Sequence, residues 1–286
     1  MNNEPIGIFD SGLGGLTVVK AMKESLPNES FIYVGDTARI PYGEKSVDTI
    51  RSYGRQIIKF LEDKNVKAII VACGTISSNV IEDLRSEFSV PLIDVVNPGI
   101  EAALSVAKKR IGVIATAATI KSGFFQRTLG AKKPDLEIEV KACPLFVPLI
   151  EDGLMNDPLT EKIVAGYLKE WREDVREDSR EEWRGDFRED VREDSRDDFI
   201  DTLILGCTHY PLLEAPIQKV LKNTVLINMA ASTVEVTKRY LQEENKISAS
   251  AETAREYYIS GDCEKFNKLA AQIIGDRIES QKVYWG

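Results

Sequence analysis

The sequence predicts an α/β protein with two pseudo-symmetric domains, mainly parallel sheets and an active site between them. Three observations predict it: apolar runs that alternate with helical patterns, two cysteines in similar settings, and a matched spacing. Strand candidates fall at Gly7–Phe9, Phe31–Val34, Ala68–Ala72, Leu92–Val95, Ile111–Ala115, Leu203–Gly206 and Val225–Ile227, with amphipathic helices such as Ser46–Lys64 between them. Strands alternating with helices imply crossover connections and therefore parallel sheets.

The repeat is visible in the letters. Ile6-Gly7-Ile8-Phe9 before Asp-Ser-Gly is matched by Ile111-Gly112-Val113-Ile114 before Ala-Thr-Ala. Lys67–Thr75 and Asp201–His209 each read as a strand that stops at a cysteine, Cys73 in Ala-Cys-Gly-Thr and Cys207 in Gly-Cys-Thr-His. Ile6 to Cys73 is 67 residues; Ile111 to Cys207 is 96, and again 67 once the 29-residue segment 171–199 is set aside. Two related halves, one interrupted, account for this. The expected division is 1–96 with 229–286 for the first domain and 97–228 for the second, with the insert at 171–199.

At 286 residues and 43% hydrophobic content, the chain has material for two cores. Its start runs directly into the first strand, and no apolar run approaches the roughly 18 residues that span a bilayer, so a soluble, cytoplasmic protein is expected, with no membrane partner. Cys73, Cys143, Cys207 and Cys263 make too few cysteines for a disulfide framework, and no Cys-x-x-Cys pair suggests zinc. Reduced thiols and no bound metal are expected. Of the net charge of −9, the segment 171–199, with seven arginines and thirteen acids, carries −6, which leaves −3 for the rest. Nothing basic points to nucleic acid.

That segment is a tandem tetrapeptide of the Val-Arg-Glu-Asp type. It reads as an expanded coding repeat tolerated on a surface connection. The other reading is a solvated helix laced by i,i+3 and i,i+4 pairs, with Trp171, Val175, Trp183, Phe187, Val191 and Phe199 as a slowly rotating apolar stripe.

Ligands of parallel α/β sheets gather at the carboxyl ends of strands. Asp10, Cys73 and Cys207 all follow strands directly, so three reactive groups are expected to converge. Asp10-Ser11-Gly12-Leu13-Gly14-Gly15 is a glycine-rich turn opening a helix at Leu16, whose backbone amides suit a carboxylate or phosphate. Its spacing fits neither a dinucleotide fingerprint nor a P-loop. Asp36–Gly43 is a second loop after a strand, with Tyr42 and Gly43 as candidate contacts. A thiol near a helix N-terminus can fall well below its reference pKa of about 8.5, which suits Cys73 and Cys207. Cys143 and Cys263 lack such a setting and read as structural.

Taken together, residues 6–18, 35–43 (Gly-Asp-Thr-Ala-Arg-Ile-Pro-Tyr-Gly), 72–75 and 205–213 (Leu-Gly-Cys-Thr-His-Tyr-Pro-Leu-Leu) resemble glutamate racemases. The resemblance covers the chain apart from the insert. It implies a cofactor-independent two-base racemase that interconverts L- and D-glutamate and supplies D-glutamate for peptidoglycan. It also implies a homodimer. On this resemblance Cys73 exchanges the proton on the D-glutamate side and Cys207 on the L-glutamate side. Asp10 assists the first thiol, His209 the second, and Glu151 serves near Cys207. Asp10, Ser11, Tyr42, Gly43, Gly74, Thr75, Thr208 and His209 match positions that bind the amino acid.

The chain departs from the pattern at Gly74, where the family has asparagine. A lost amide contact of this kind costs on the order of 1 kcal/mol, which bears on affinity more than on reaction class. A second departure is Asn228, where relatives carry aspartate. Two alternatives stay open: aspartate racemisation on a similar two-cysteine fold, and a non-catalytic binding protein whose two thiols form a redox-sensitive pair.

Overall fold

The computed structural model describes residues 3–171, 199–250 and 252–285. Among the described residues, β1 (Ile6–Asp10), β2 (Phe31–Gly35), β3 (Ala68–Val71), β4 (Leu92–Asp94), β9 (Arg255–Ile259) and β10 (Ser280–Lys282) form one sheet, in the order β10-β9-β2-β1-β3-β4. A second sheet, in the order β6-β5-β7-β8, is built from β5 (Arg110–Ala115), β6 (Glu137–Ala142), β7 (Thr202–Leu205) and β8 (Val225–Ile227). Every strand pairing is parallel.

The repeat read from the sequence is present in space. The order β2-β1-β3-β4 in one sheet is the order β6-β5-β7-β8 in the other. Ile6 stands beside Ala68 and Ile111 beside Thr202, separations of 62 and 91 residues that become equal when the 29-residue insert is removed. All seven expected strands form, with ends shifted by a residue or two. β6, β9 and β10 are absent from the expectation for a physical reason. β6 is half-exposed and alternates charged with apolar residues, β9 opens on Arg255-Glu256, and β10 is a polar edge strand. Only strands buried on both faces produce the unbroken apolar runs that mark β1, β2 and β3.

Helices fill the crossovers. α1 (Leu16–Ser25) follows the glycine-rich turn. α2 (Val47–Asp63) starts at Ser46, whose hydroxyl accepts the Thr49 N–H at 3.2 Å, and buries Ile50, Ile57, Ile58 and Leu61 along one face. α3 (Gly74–Asn79) and α4 (Ile81–Glu87) follow β3, and α5 (Val96–Val106) leads to the second sheet. There, α6 (Ala117–Ser122), α7 (Phe124–Lys132), α8 (Phe146–Glu151), α9 (Pro158–Leu168) and α10 (Glu214–Val220) cover β5–β8. α11 (Met229–Glu243) returns the chain to the larger sheet and α12 (Cys263–Ile274) packs near α1.

One apolar core runs between the sheets. It joins Ile6, Ile8 and Tyr33 to Ile111, Val113 and Ile204 through Val96 and Ile100 of α5 and Val234 of α11. Separate cores cover the outer faces, one with Ile57, Leu61 and Ile69, the other with Phe146, Tyr210 and Trp171. Asn228 caps α11, its side-chain oxygen accepting the Ala230 N–H at 3.0 Å. Asparagine caps a helix there as well as aspartate would.

Trp171, at the edge of the insert, is a core residue whose Nε1 donates to Glu139 Oε2 at 2.6 Å, so the first residue of the apolar stripe belongs to the globular body. Val175, Trp183, Phe187 and Val191 lie outside the described residues. Among the described residues no helix is long and apolar enough to cross a membrane.

Candidate active site

The carboxyl ends of β1, β3, β5 and β7 face one another, and each delivers residues to the site. β1 ends in Asp10 and Ser11, β3 in Cys73, β5 in Ala115 and Thr116, β7 in Cys207. The convergence expected of Asp10, Cys73 and Cys207 is thus observed, and all three are buried.

At the first thiol, Cys73 caps α3, yet its pKa does not fall. Burial and then the Asp10 charge push the thiol up to about 12, against smaller opposing effects of the Ile76 N–H and the Ser11 hydroxyl. This corrects the expectation of an activated thiol at a helix start: in an enclosed site beside an anion, desolvation outweighs the few amides of a six-residue helix. Asp10 is itself held on both oxygens. Oδ2 accepts the Gly12 N–H at 3.0 Å, and Oδ1 accepts the Thr208 hydroxyl at 3.2 Å from the opposite half.

The second thiol has a different partner. Cys207 Sγ lies 3.7 Å from His209 Nδ1, and His209 Nε2 lies 2.6 Å from Glu151 Oε1. Although burial disfavours charge, Cys207 and then Glu151 raise the His209 pKa well above its ordinary value, which favours the imidazolium. Its Nε2 proton is used by Glu151, and the Gly14 N–H 3.2 Å away is then a close neighbour rather than a second donor to that nitrogen. Glu151 is thus the hydrogen-bond partner of His209, which in turn lies beside Cys207.

The glycine-rich turn does hold a carboxylate, but it is the protein's own. Leu13 N–H donates to Glu151 Oε1 at 2.6 Å. A Cβ on Gly12 would lie 2.0 Å from that oxygen, and one on Gly14 would lie 2.3 Å from His209 Nδ1. Two glycines are needed so that one half's turn can seat on the other half's Glu-His pair.

A second crossed contact mirrors the first. Thr75 Oγ1 lies 3.0 Å from Thr116 Oγ1, which continues at 3.0 Å to Thr119. Gly43 sits against the same Thr116, its virtual Cβ 2.6 Å from Thr116 Cβ. Tyr42 is nearby, but its hydroxyl donates to Asp36, so its free contribution to a ligand is main-chain rather than phenolic. Thr116 is absent from the sequence-based candidates. The signal for it lies in the repeat, since Thr116 occupies in β5 the place that Ser11 occupies in β1. Gly74 is tightly placed: a Cβ there would come within 2.7 Å of the Gly206 carbonyl oxygen. The missing asparagine is therefore not an empty pocket. The Cys207 loop fills it.

The sequence profile of the Asp/Glu/hydantoin racemases matches residues 6–237. The chain belongs to the Asp/Glu/hydantoin racemase family. It is an isomerase of that family and is similar along nearly its whole length to glutamate racemases. The glutamate racemase of Aquifex aeolicus is 40% identical over 275 residues, covering 96% of this chain and 95% of its own. The Francisella tularensis glutamate racemase crystallised with D-glutamate superposes with a TM-score of 0.84 at 34% identity, covering 99% of this chain and 98% of that one. A Bacillus anthracis glutamate racemase gives 0.85 at 32% identity over the same shares. The two buried thiols of this chain, Cys73 and Cys207, stand at equivalent strand ends of two related sheets.

Proposed function

We propose that this protein interconverts L- and D-glutamate by two-base proton transfer, with Cys207 acting on the L face and Cys73 on the D face. The observation that carries the reading is the pairing of two buried thiols at equivalent strand ends with proton partners of opposite charge. From L-glutamate, Cys207 as thiolate, beside the His209 imidazolium, takes the α-proton; the carbanion then receives a proton from the Cys73 thiol on the other face. One S–H forms and one breaks, so the proton count closes on the two cysteines, and the reverse turnover restores the start. Asp10 stands beside Cys73 to steer its proton, and Glu151 keeps His209 protonated and oriented. Ser11, Gly74, Thr75, Thr208 and Thr116, with the backbone of Tyr42 and Gly43, hold the carboxylates and ammonium of the amino acid.

The substrate lies between one half made of 1–96 with 229–286 and another made of 97–228. The protein works in the cytoplasm as a homodimer and supplies D-glutamate for peptidoglycan. A circular-dichroism assay of L-glutamate, D-glutamate, L-aspartate and D-aspartate tests the substrate: racemisation of the glutamates at least about a hundredfold faster is expected, and preference for aspartate would overturn the reading. Light scattering tests assembly, with twice the 31.9 kDa chain mass expected.

A further inference from the structure

A third constellation lies behind the loop that carries Tyr42 and Gly43. Asp36, fully buried just past β2, takes four side-chain donors. Oδ2 accepts the Tyr42 hydroxyl and Arg39 Nε, the latter at 2.6 Å; Oδ1 accepts the Ser260 hydroxyl at 2.6 Å and Trp285 Nε1 at 2.7 Å. The Arg39 guanidinium lies 3.9 Å from the centre of the Tyr53 ring and 5.0 Å from that of Trp285, and Trp285 meets Phe60 edge-on at 6.0 Å. Two of the four donors come from more than 200 residues along the chain: Ser260 follows β9 and Trp285 follows β10. β10 itself is three polar or charged residues on a sheet edge. Its position brings Trp285 back onto Asp36.

We infer that Trp285 is a positioning residue for the substrate loop: through Asp36 it fixes where Tyr42 and Gly43 stand against Thr116 and the bound amino acid. The inference rests on the glutamate reading above and adds a residue that no motif of the sequence carries. Because the Tyr42 hydroxyl is committed to Asp36, any rotation of that carboxylate is transmitted to the loop. Gly43 has no slack to absorb the movement, since it already packs on Thr116. Trp285 meets Asp36, Arg39 and Phe60, and none of these carries a proton in the reaction. The consequence is therefore expected in binding rather than in chemistry.

Trp285→Phe keeps the ring over Arg39 and against Phe60 and removes only the N–H donor. The KM for both enantiomers should rise roughly ten- to a hundredfold, the scale of losing one hydrogen bond to a charged group, with kcat within about twofold. A purely structural weakening would instead lower kcat by reducing the active fraction at unchanged KM. In an Asp36→Ala background the same change should add little, because no acceptor for the Trp285 N–H remains; full additivity would overturn the route through Asp36. Amide hydrogen exchange of residues 40–44 in the unliganded protein gives an independent readout and should quicken in Trp285→Phe. Unchanged exchange would overturn the positioning role itself. A wild-type chain inert toward glutamate, with exchange still quickened in the variant, would remove the glutamate reading and leave the positioning role standing.

Discussion

The two thiols occupy equivalent places in a repeated fold, yet their surroundings are not equivalent. Cys73 has Asp10 beside it, at the end of β1; the matching place at the end of β5 is Ala115, which offers Cys207 no carboxylate. Conversely, His209 stands two residues after Cys207, where Thr75 stands after Cys73. One repeated scaffold thus gives its two thiols different neighbours. Burial and then the Asp10 charge push the Cys73 thiol up, while His209, raised by Cys207 and then Glu151, faces Cys207.

The largest test of this comparison is removal of either sulfur. Cys73→Ala and Cys207→Ala should each lower racemisation by 10³-fold or more, the upper range for positioned general acid–base groups, measured by optical rotation on folded protein. Near-wild-type activity in either variant would leave the two-base scheme without support.

Next in size are the partners of the thiols. Glu151→Gln and Asp10→Asn should each lower kcat/KM by roughly 10- to 100-fold. The two variants differ in pH dependence, because only Glu151→Gln removes the carboxylate that holds the His209 proton.

His209 is the chain's single histidine, so its imidazole resonances report its charge without ambiguity. In the native protein they should titrate above the ordinary value of about 6.5, and in Glu151→Gln the midpoint should move down. The sign for stability follows from the raised pKa. Pairing of the imidazolium stabilises the fold fully below pH of about 6.5 and is lost as pH rises through the folded-state value. The melting-temperature gap between the wild type and Glu151→Gln should therefore be widest near pH 6 and narrow toward alkaline pH. A gap that widened with pH would mean that His209 is neutral in the fold.

The smallest effect is expected at Gly74. Restoring the asparagine of relatives requires the Gly206 carbonyl to yield, since a Cβ would lie 2.7 Å from it. Gly74→Asn should therefore not lower KM and should cost a few-fold in kcat, through a shift of the Cys207 loop; the steric penalty is about 1–3 kcal/mol where the backbone must adjust. A markedly lower KM in steady-state kinetics would show that the loop has room after all.

Much of this architecture was legible in the letters. The seven expected strands announce themselves as apolar runs, most clearly β1, β2 and β3, which are buried throughout, and the matched spacing of Ile6–Cys73 and Ile111–Cys207 gives the repeat. What escaped did so for physical reasons. β6, β9 and β10 mix charge into their strands, so no run marks them. Thr116 sits in an unremarkable Ala-Thr-Ala, and its importance comes from a contact with Thr75 across the two halves. The occupation of the glycine-rich turn by Glu151 depends on residues 138 positions apart. The pKa of Cys73 turns on enclosure, which no local pattern records. Asp36 lies in a recognisable loop, whereas Trp285 becomes its partner only through the placement of β10.

The most direct measurement is proton NMR of L-glutamate and, separately, D-glutamate in D2O with the reduced protein, following the α-proton signal alongside optical rotation. The account predicts loss of the signal from both enantiomers in step with racemisation in the wild type, and loss of racemisation in both cysteine variants. An α-proton that persists in both enantiomers, or racemisation that survives Cys73→Ala or Cys207→Ala, would contradict it.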